Sequence, residues 1–170
     1  MNTDVLDSTS NGTNISVLDH ITTNNDSSSL NQPITDDEII FSINHVHSNR
    51  APGPDGICIE MYKCTLVYTL PYLNKLFNNI FESGNFPQVW GNSIITPVHK
   101  KGNVTDPNNY RGISLIDSLC KVFVHILSRR LTLWCEEYNI IDESQAGFRS
   151  GYSTTDNNFI LMSLIQKYFY

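Results

Sequence analysis

The sequence predicts an α+β fold, rich in helix, with one small antiparallel β-hairpin. Two observations carry this. Ile94–Gly102 and Tyr110–Leu115 read as two short strands flanking a polar turn segment, Asp106-Pro107-Asn108-Asn109, whose chemistry is that of a tight reversal. Elsewhere the apolar residues recur at helical spacing, as in Leu73, Leu76, Phe77, Ile80 and Phe81 and again in Leu119, Val122, Phe123, Ile126, Leu127, Leu131 and Trp134. Such stripes mark the buried face of a helix.

Along the chain, residues 1–34 are rich in Ser, Thr, Asn and Asp, with scattered apolar residues and no period, and read as a disordered linker. Thr35-Asp36-Asp37-Glu38 is a capping box with acids in the first helical turn, and Ile39, Ile40, Ile43 and Val46 follow on one face. Ala51-Pro52-Gly53-Pro54-Asp55-Gly56 breaks that helix, because each proline disfavours helical geometry in its predecessor. A helix around Ile59–Tyr68 comes next, then another from about Pro71 to Ser83, stopped by Gly84. Trp90 reads as core. Pro97 lacks an N–H and puts the first strand at a sheet edge. Asp117 or Ser118 caps a long helix to about Tyr138. A last helix from about Thr155 is apolar almost all round and should be buried on several sides.

With 170 residues and 40% hydrophobic content the chain supports one domain with a core. Its net charge of −6 is unevenly spread. Residues 1–49 hold seven acids and no Lys or Arg, so residues 50–170 carry all eleven cations against ten acids. Six of those cations fall between His99 and Arg130, beside only Asp106 and Asp117. Lys100, Lys101 and Arg111 lie on the hairpin, where guanidinium and ammonium groups suit a triphosphate or a nucleic-acid backbone. A solvated basic face has the same signature. Alternation puts Lys100 and Lys101 on opposite faces, so one of them points at a given phosphate, and sequence leaves open which. Cys58, Cys64, Cys120 and Cys135 lack metal-ligand spacing and read as free thiols in a reducing compartment, which with no signal peptide gives an intracellular expectation, cytoplasmic or nuclear. No apolar run reaches membrane-spanning length.

The hairpin pair, with Arg50-Ala51-Pro52-Gly53-Pro54-Asp55-Gly56-Ile57 upstream, Phe81-Glu82-Ser83-Gly84 with Phe86-Pro87 and Trp90, and Gln145-Ala146-Gly147-Phe148-Arg149 with Gly151, Ser153 and Thr154 downstream, resembles the reverse transcriptases of non-LTR (LINE-like) retrotransposons. The match covers roughly 35–170, with the motifs in family order. The resemblance implies reverse-transcriptase fingers and the start of the palm, truncated before the catalytic palm strands. It implies that Lys100 or Lys101 and Arg111 bind the incoming dNTP, and that Gln145, Phe148 and Arg149 contact template or nucleotide. An RNA template, a DNA primer and a missing C-terminal palm and thumb are the implied partners. Mg²⁺ is implied for the intact enzyme and not for this segment, which lacks the family's metal-binding aspartates and has no catalytic residue of its own. Alone the chain is expected not to polymerise. A nucleic-acid-binding remnant or a truncated product without activity are the alternative readings.

Overall fold

The computed structural model describes residues 26–169. Four helices and one two-stranded sheet follow in the order α1 (Asp36–His45), α2 (Ile59–Ser83), β1 (Ile94–His99), β2 (Tyr110–Leu115), α3 (Ser118–Glu137) and α4 (Thr154–Phe169), with short 3₁₀ turns at Ser28–Asn31, Gln88–Gly91 and Pro107–Asn109. The α+β, helix-rich expectation holds. α1, α2 and α3 form one packed layer, and the hairpin projects from it.

α1 starts where the sequence places it. Thr35 Oγ1 accepts from Glu38 N (3.3 Å) and Glu38 Oε2 accepts from Thr35 N (2.9 Å), so two orphan amides are satisfied reciprocally. Ile39 and Ile43 are fully buried beneath it. They meet Phe77 and Ile80 of α2 and Val122, Phe123 and Ile126 of α3 in a single core. The aromatic rings lock this core together, with Phe77 5.5 Å from Phe123 and Trp90 6.0 Å from it, centre to centre. Trp90 is buried, as expected of a core residue.

Four features differ from the sequence reading. First, the two helices expected across 59–83 are one 25-residue helix with Pro71 inside it. Proline removes one helical N–H, which would have reached Val67 O. Val67 is 85% exposed, so this turn of the helix faces solvent, and the helix runs on. Second, the expected linker falls in two parts: residues 1–25 lie outside the described residues, and its last stretch is docked on the helices. Ile34 is buried, and Asn78 of α2 binds its backbone twice, accepting from Ile34 N (2.7 Å) and donating to Ile34 O (3.0 Å). Third, Leu131 is half exposed, because α3 is twice as long as α1 and runs past its N-terminus. Fourth, α4 leaves Phe159, Ile160, Leu161, Met162 and Leu164 exposed among the described residues. Its tie to the loop before it is polar, between Asn157 Nδ2 and Ser144 O (3.5 Å).

Arg130 fastens the docked segment. Its guanidinium donates to Glu38 through Nε (2.6 Å) and Nη2 (2.7 Å) and to the carbonyls of Leu30, Gln32 and Pro33. Both side chains are largely buried, at 9% and 18% exposure. Hydrogen bonding from Arg130 holds the Glu38 carboxyl below its ordinary range. A depressed carboxyl stabilises the fold fully above the ordinary carboxylate range and loses that contribution as pH falls through its lowered value. Arg130→Ala should therefore cost about 1–3 kcal/mol near neutral pH, measured by urea denaturation, and the difference from the parent protein should shrink as Glu38 protonates.

The hairpin joins the helical layer at a tight junction. Gly53 lies so close to the Ile116–Asp117 backbone that a Cβ there would sit 2.4 Å from Asp117 N. Asp117 is buried, but its side chain does not cap α3; Oδ1 accepts from Asp55 N (3.2 Å) instead. Ser118 Oγ donates to Ile57 O (2.7 Å) alongside. Backbone cannot yield as a flexible side chain can, so Gly53→Ala should destabilise by about 1–3 kcal/mol, read as a lowered urea midpoint.

Candidate nucleotide and nucleic-acid interface

β1 and β2 pair antiparallel in the register Ile94↔Leu115, Thr96↔Ile113, Val98↔Arg111 and His99↔Tyr110. Residues directly opposite share a face, and alternate residues along a strand share one as well. One face therefore holds Thr96, Val98, Arg111 and Ile113, and the other holds Ile95, Pro97, His99, Tyr110 and Gly112. The ladder continues one step beyond β1, where Lys100 N donates to Asn109 O (2.8 Å). Continued alternation puts Lys100 on the Arg111 face and, across the diagonal, about 7–8 Å from it. Lys101 falls at the turn, outside both strands. Register thus sets Lys100 apart from Lys101 as the lysine on the Arg111 face.

The tip is held in shape by its own polar residues. Gly102 has φ +87°, and the Asn109 side chain lies over it while donating to Asn103 O (2.9 Å). Asn103 and Asp106 accept from the amides two residues on, at Thr105 (3.0 Å) and Asn108 (3.0 Å). Tyr110 donates its hydroxyl to Val104 O (2.8 Å), and His99 packs edge-on against its ring. Asp106 shapes the turn and does not reach Arg111: among the described residues the ion pairs are Arg130–Glu38 and Arg149–Glu136. Lys100, Lys101 and Arg111 are all exposed.

Below the cationic face lies an open cleft of about 510 Å³ at the root of the hairpin. Ile113–Leu115, the loop from Val46 to Ala51, Ile59, Ser118 and Lys121 line it. Arg50 and Lys121 are in neither ion pair. The loop itself is pinned: Lys63 Nζ donates to Val46 O (2.9 Å) and Ser48 Oγ (2.9 Å), and Glu60 accepts from Asn49 N. Sequence reasoning passed over Arg50 as a site residue. Its signal was present, a cation immediately before a rigid Pro-Gly loop, but only the fold brings that loop to the strand root.

Gln145, Phe148 and Arg149 are placed differently, and none lines this cleft. Arg149 clamps its own loop, donating to Glu136 through Nε (3.0 Å) and Nη2 (2.9 Å) and to Asp142 O (3.1 Å), with its guanidinium 4.0 Å from the Tyr152 ring centre. The Glu136 hydrogen bond pushes the Arg149 pKa up, and the carboxyl is held low in turn. Phe148 is fully exposed with φ +63°, and Gln145 is exposed. Among the described residues no three His, Cys, Asp or Glu converge. No described helix is long and apolar enough to cross a membrane.

The chain is 33% identical over 126 residues to a probable RNA-directed DNA polymerase from transposon BS of Drosophila melanogaster, covering 74% of this chain and 14% of that protein. It is 36% identical over 110 residues to the corresponding X-element protein of the same fly, covering 64% of this chain and 12% of that protein. The chain belongs to the reverse-transcriptase family of non-LTR retrotransposons. A third relative, the retrovirus-related Pol polyprotein of the type-1 retrotransposable element R1 of Bradysia coprophila, is 30% identical over 71% of this chain and 12% of its own length. No family model matches. The chain thus spans less than a sixth of the length of these reverse-transcriptase relatives.

Because Arg149 is spent on Glu136 and the Asp142 carbonyl, Arg149→Ala should speed proteolytic cutting within residues 139–152. The melting of the α1–α3 core should stay unchanged, as differential scanning fluorimetry would read it.

Proposed function

We propose that this segment is the substrate-gripping part of an RNA-directed DNA polymerase, with the hairpin seating the triphosphate of an incoming deoxynucleotide. The observation that carries the reading is the register that puts Lys100 and Arg111 on one exposed face with no carboxylate paired to either. Guanidinium supplies two parallel donors to a phosphate and ammonium adds a point charge beside it. The stitched tip fixes the backbone that carries both cations before ligand arrives, which lowers the ordering cost of binding.

The cleft at the hairpin root suits the nucleic-acid strand. Its apolar wall, from Val46, Ala51, Ile59 and Ile113, takes the body of a nucleotide, while Arg50 and Lys121 take backbone phosphate. RNA template and DNA primer are the proposed strands. This segment's proposed part is to bind and orient the nucleotide and the strands.

Lys100→Ala and Arg111→Ala should each weaken deoxynucleoside triphosphate binding roughly tenfold to a hundredfold, with Lys101→Ala having a smaller effect. Fluorescence titration with a labelled dNTP reads this. Equal, small losses at all three positions, with single-stranded oligonucleotide binding falling in parallel, would mean a general basic surface and no triphosphate seat.

A further inference from the structure

α1 and α3 meet at a seam that collects positive charge. His125 of α3 is partly buried there, its Nδ1 3.0 Å from Oγ of Ser42, which is itself fully buried on α1. His45 lies one turn further along α1, its ring 6.4 Å from that of His125 and nearly parallel to it. Phe41 stacks on His45 at 3.7 Å, and Arg129 covers the Phe41 ring at 4.3 Å. The other charged groups on these elements include Lys121, Lys63, Glu38 and Asp37, the last one turn before Phe41 on α1 and in neither ion pair. Lys121 is one turn before His125, and Lys63 of α2 holds the end of α1. Glu38, on the first turn of α1, is committed to Arg130.

We propose that His125 is a proton-operated latch on α1, closed when the imidazole is neutral and released when it is charged. A neutral ring packs against Ser42 and Phe41 at no electrostatic cost. A charged ring at the same place faces His45 and Arg129 and has no ion-pair partner among the described residues. Burial, then His45 and Arg129, all favour the neutral form and set the His125 pKa below its ordinary value. For a base depressed in this way, stability is complete above the ordinary histidine range and is lost as pH falls through the lowered value. Release acts on function because α1 runs directly into Val46–Ala51, the loop that lines the cleft at the hairpin root. Loosening α1 frees the Val46 end of that loop, leaving Lys63 and Glu60 of α2 as its remaining holds. The cleft's role in strand binding rests on the function proposed above; the latch itself does not, and its test uses no nucleotide.

The test is an NMR titration of the chain from about pH 8 to about pH 5, a range that spans histidine titration. The His125 ring should titrate below the ordinary histidine range, and backbone amides of residues 46–51 should shift with the His125 midpoint. In His125→Gln that component of the amide shifts should vanish, and the fall in melting temperature on acidification should shrink. In Arg129→Gln, which keeps His125 and removes one facing charge, the His125 midpoint should rise. Loop amides that titrate identically in His125→Gln would overturn the proposal. So would an unchanged His125 midpoint in Arg129→Gln, a result that stands even if His125→Gln does not fold.

Discussion

The contact of Gly53 with the backbone of Ile116 and Asp117 decides where the hairpin stands. β1 is exposed along its whole length, and β2 is sheltered only at its ends, so the hairpin draws little orientation from burial. A two-stranded hairpin is marginal on its own in water. What aims it is the seam at its root, where a backbone without a side chain lets the Pro-Gly loop touch the strand-to-helix turn. Asp117 and Ser118 then close the seam by bonding Asp55 and Ile57. A methyl group at position 53 would push these two segments apart, and the cleft lined by Val46–Ala51 and Ile113–Leu115 would open with them.

The rest of the domain reads as support for that junction. Phe77, Phe123 and Trp90 make the core on which α2 and α3 are fixed, and Lys63 and Glu60 of α2 hold the end of α1 and the loop that follows. Arg130 acts at the other end, joining Glu38 to the carbonyls of residues 30–33. Cations in this chain therefore divide by surroundings. Arg130 and Arg149 face carboxylates and build structure, while Lys100, Arg111, Arg50 and Lys121 are in neither ion pair and face solvent or the cleft.

Much of this was legible in the sequence, for local reasons. The capping box at Thr35, the helical stripe from Leu73 to Phe81 and the strand–turn–strand pattern depend on neighbours within a few residues, and each appeared where expected. The family itself was legible because its motifs stand in order along the chain. Long-range partnerships were not. Nothing near Arg130 in sequence announces Glu38, 92 residues away, and nothing near Ile34 announces Asn78. Pro71 misled because its cost depends on whether Val67 O meets water, a matter of burial. The face shared by Lys100 and Arg111 needed the register, and sequence supplies only the alternation.

The most direct measurement is chemical-shift mapping of the hairpin as a deoxynucleoside triphosphate is added. If the cationic face is the seat, shifts should concentrate on Thr96, Val98, Lys100, Arg111 and Ile113, and spare Ile95, Pro97 side-chain signals, His99 and Gly112. Shifts confined to the opposite face, or spread evenly over both, would contradict the account.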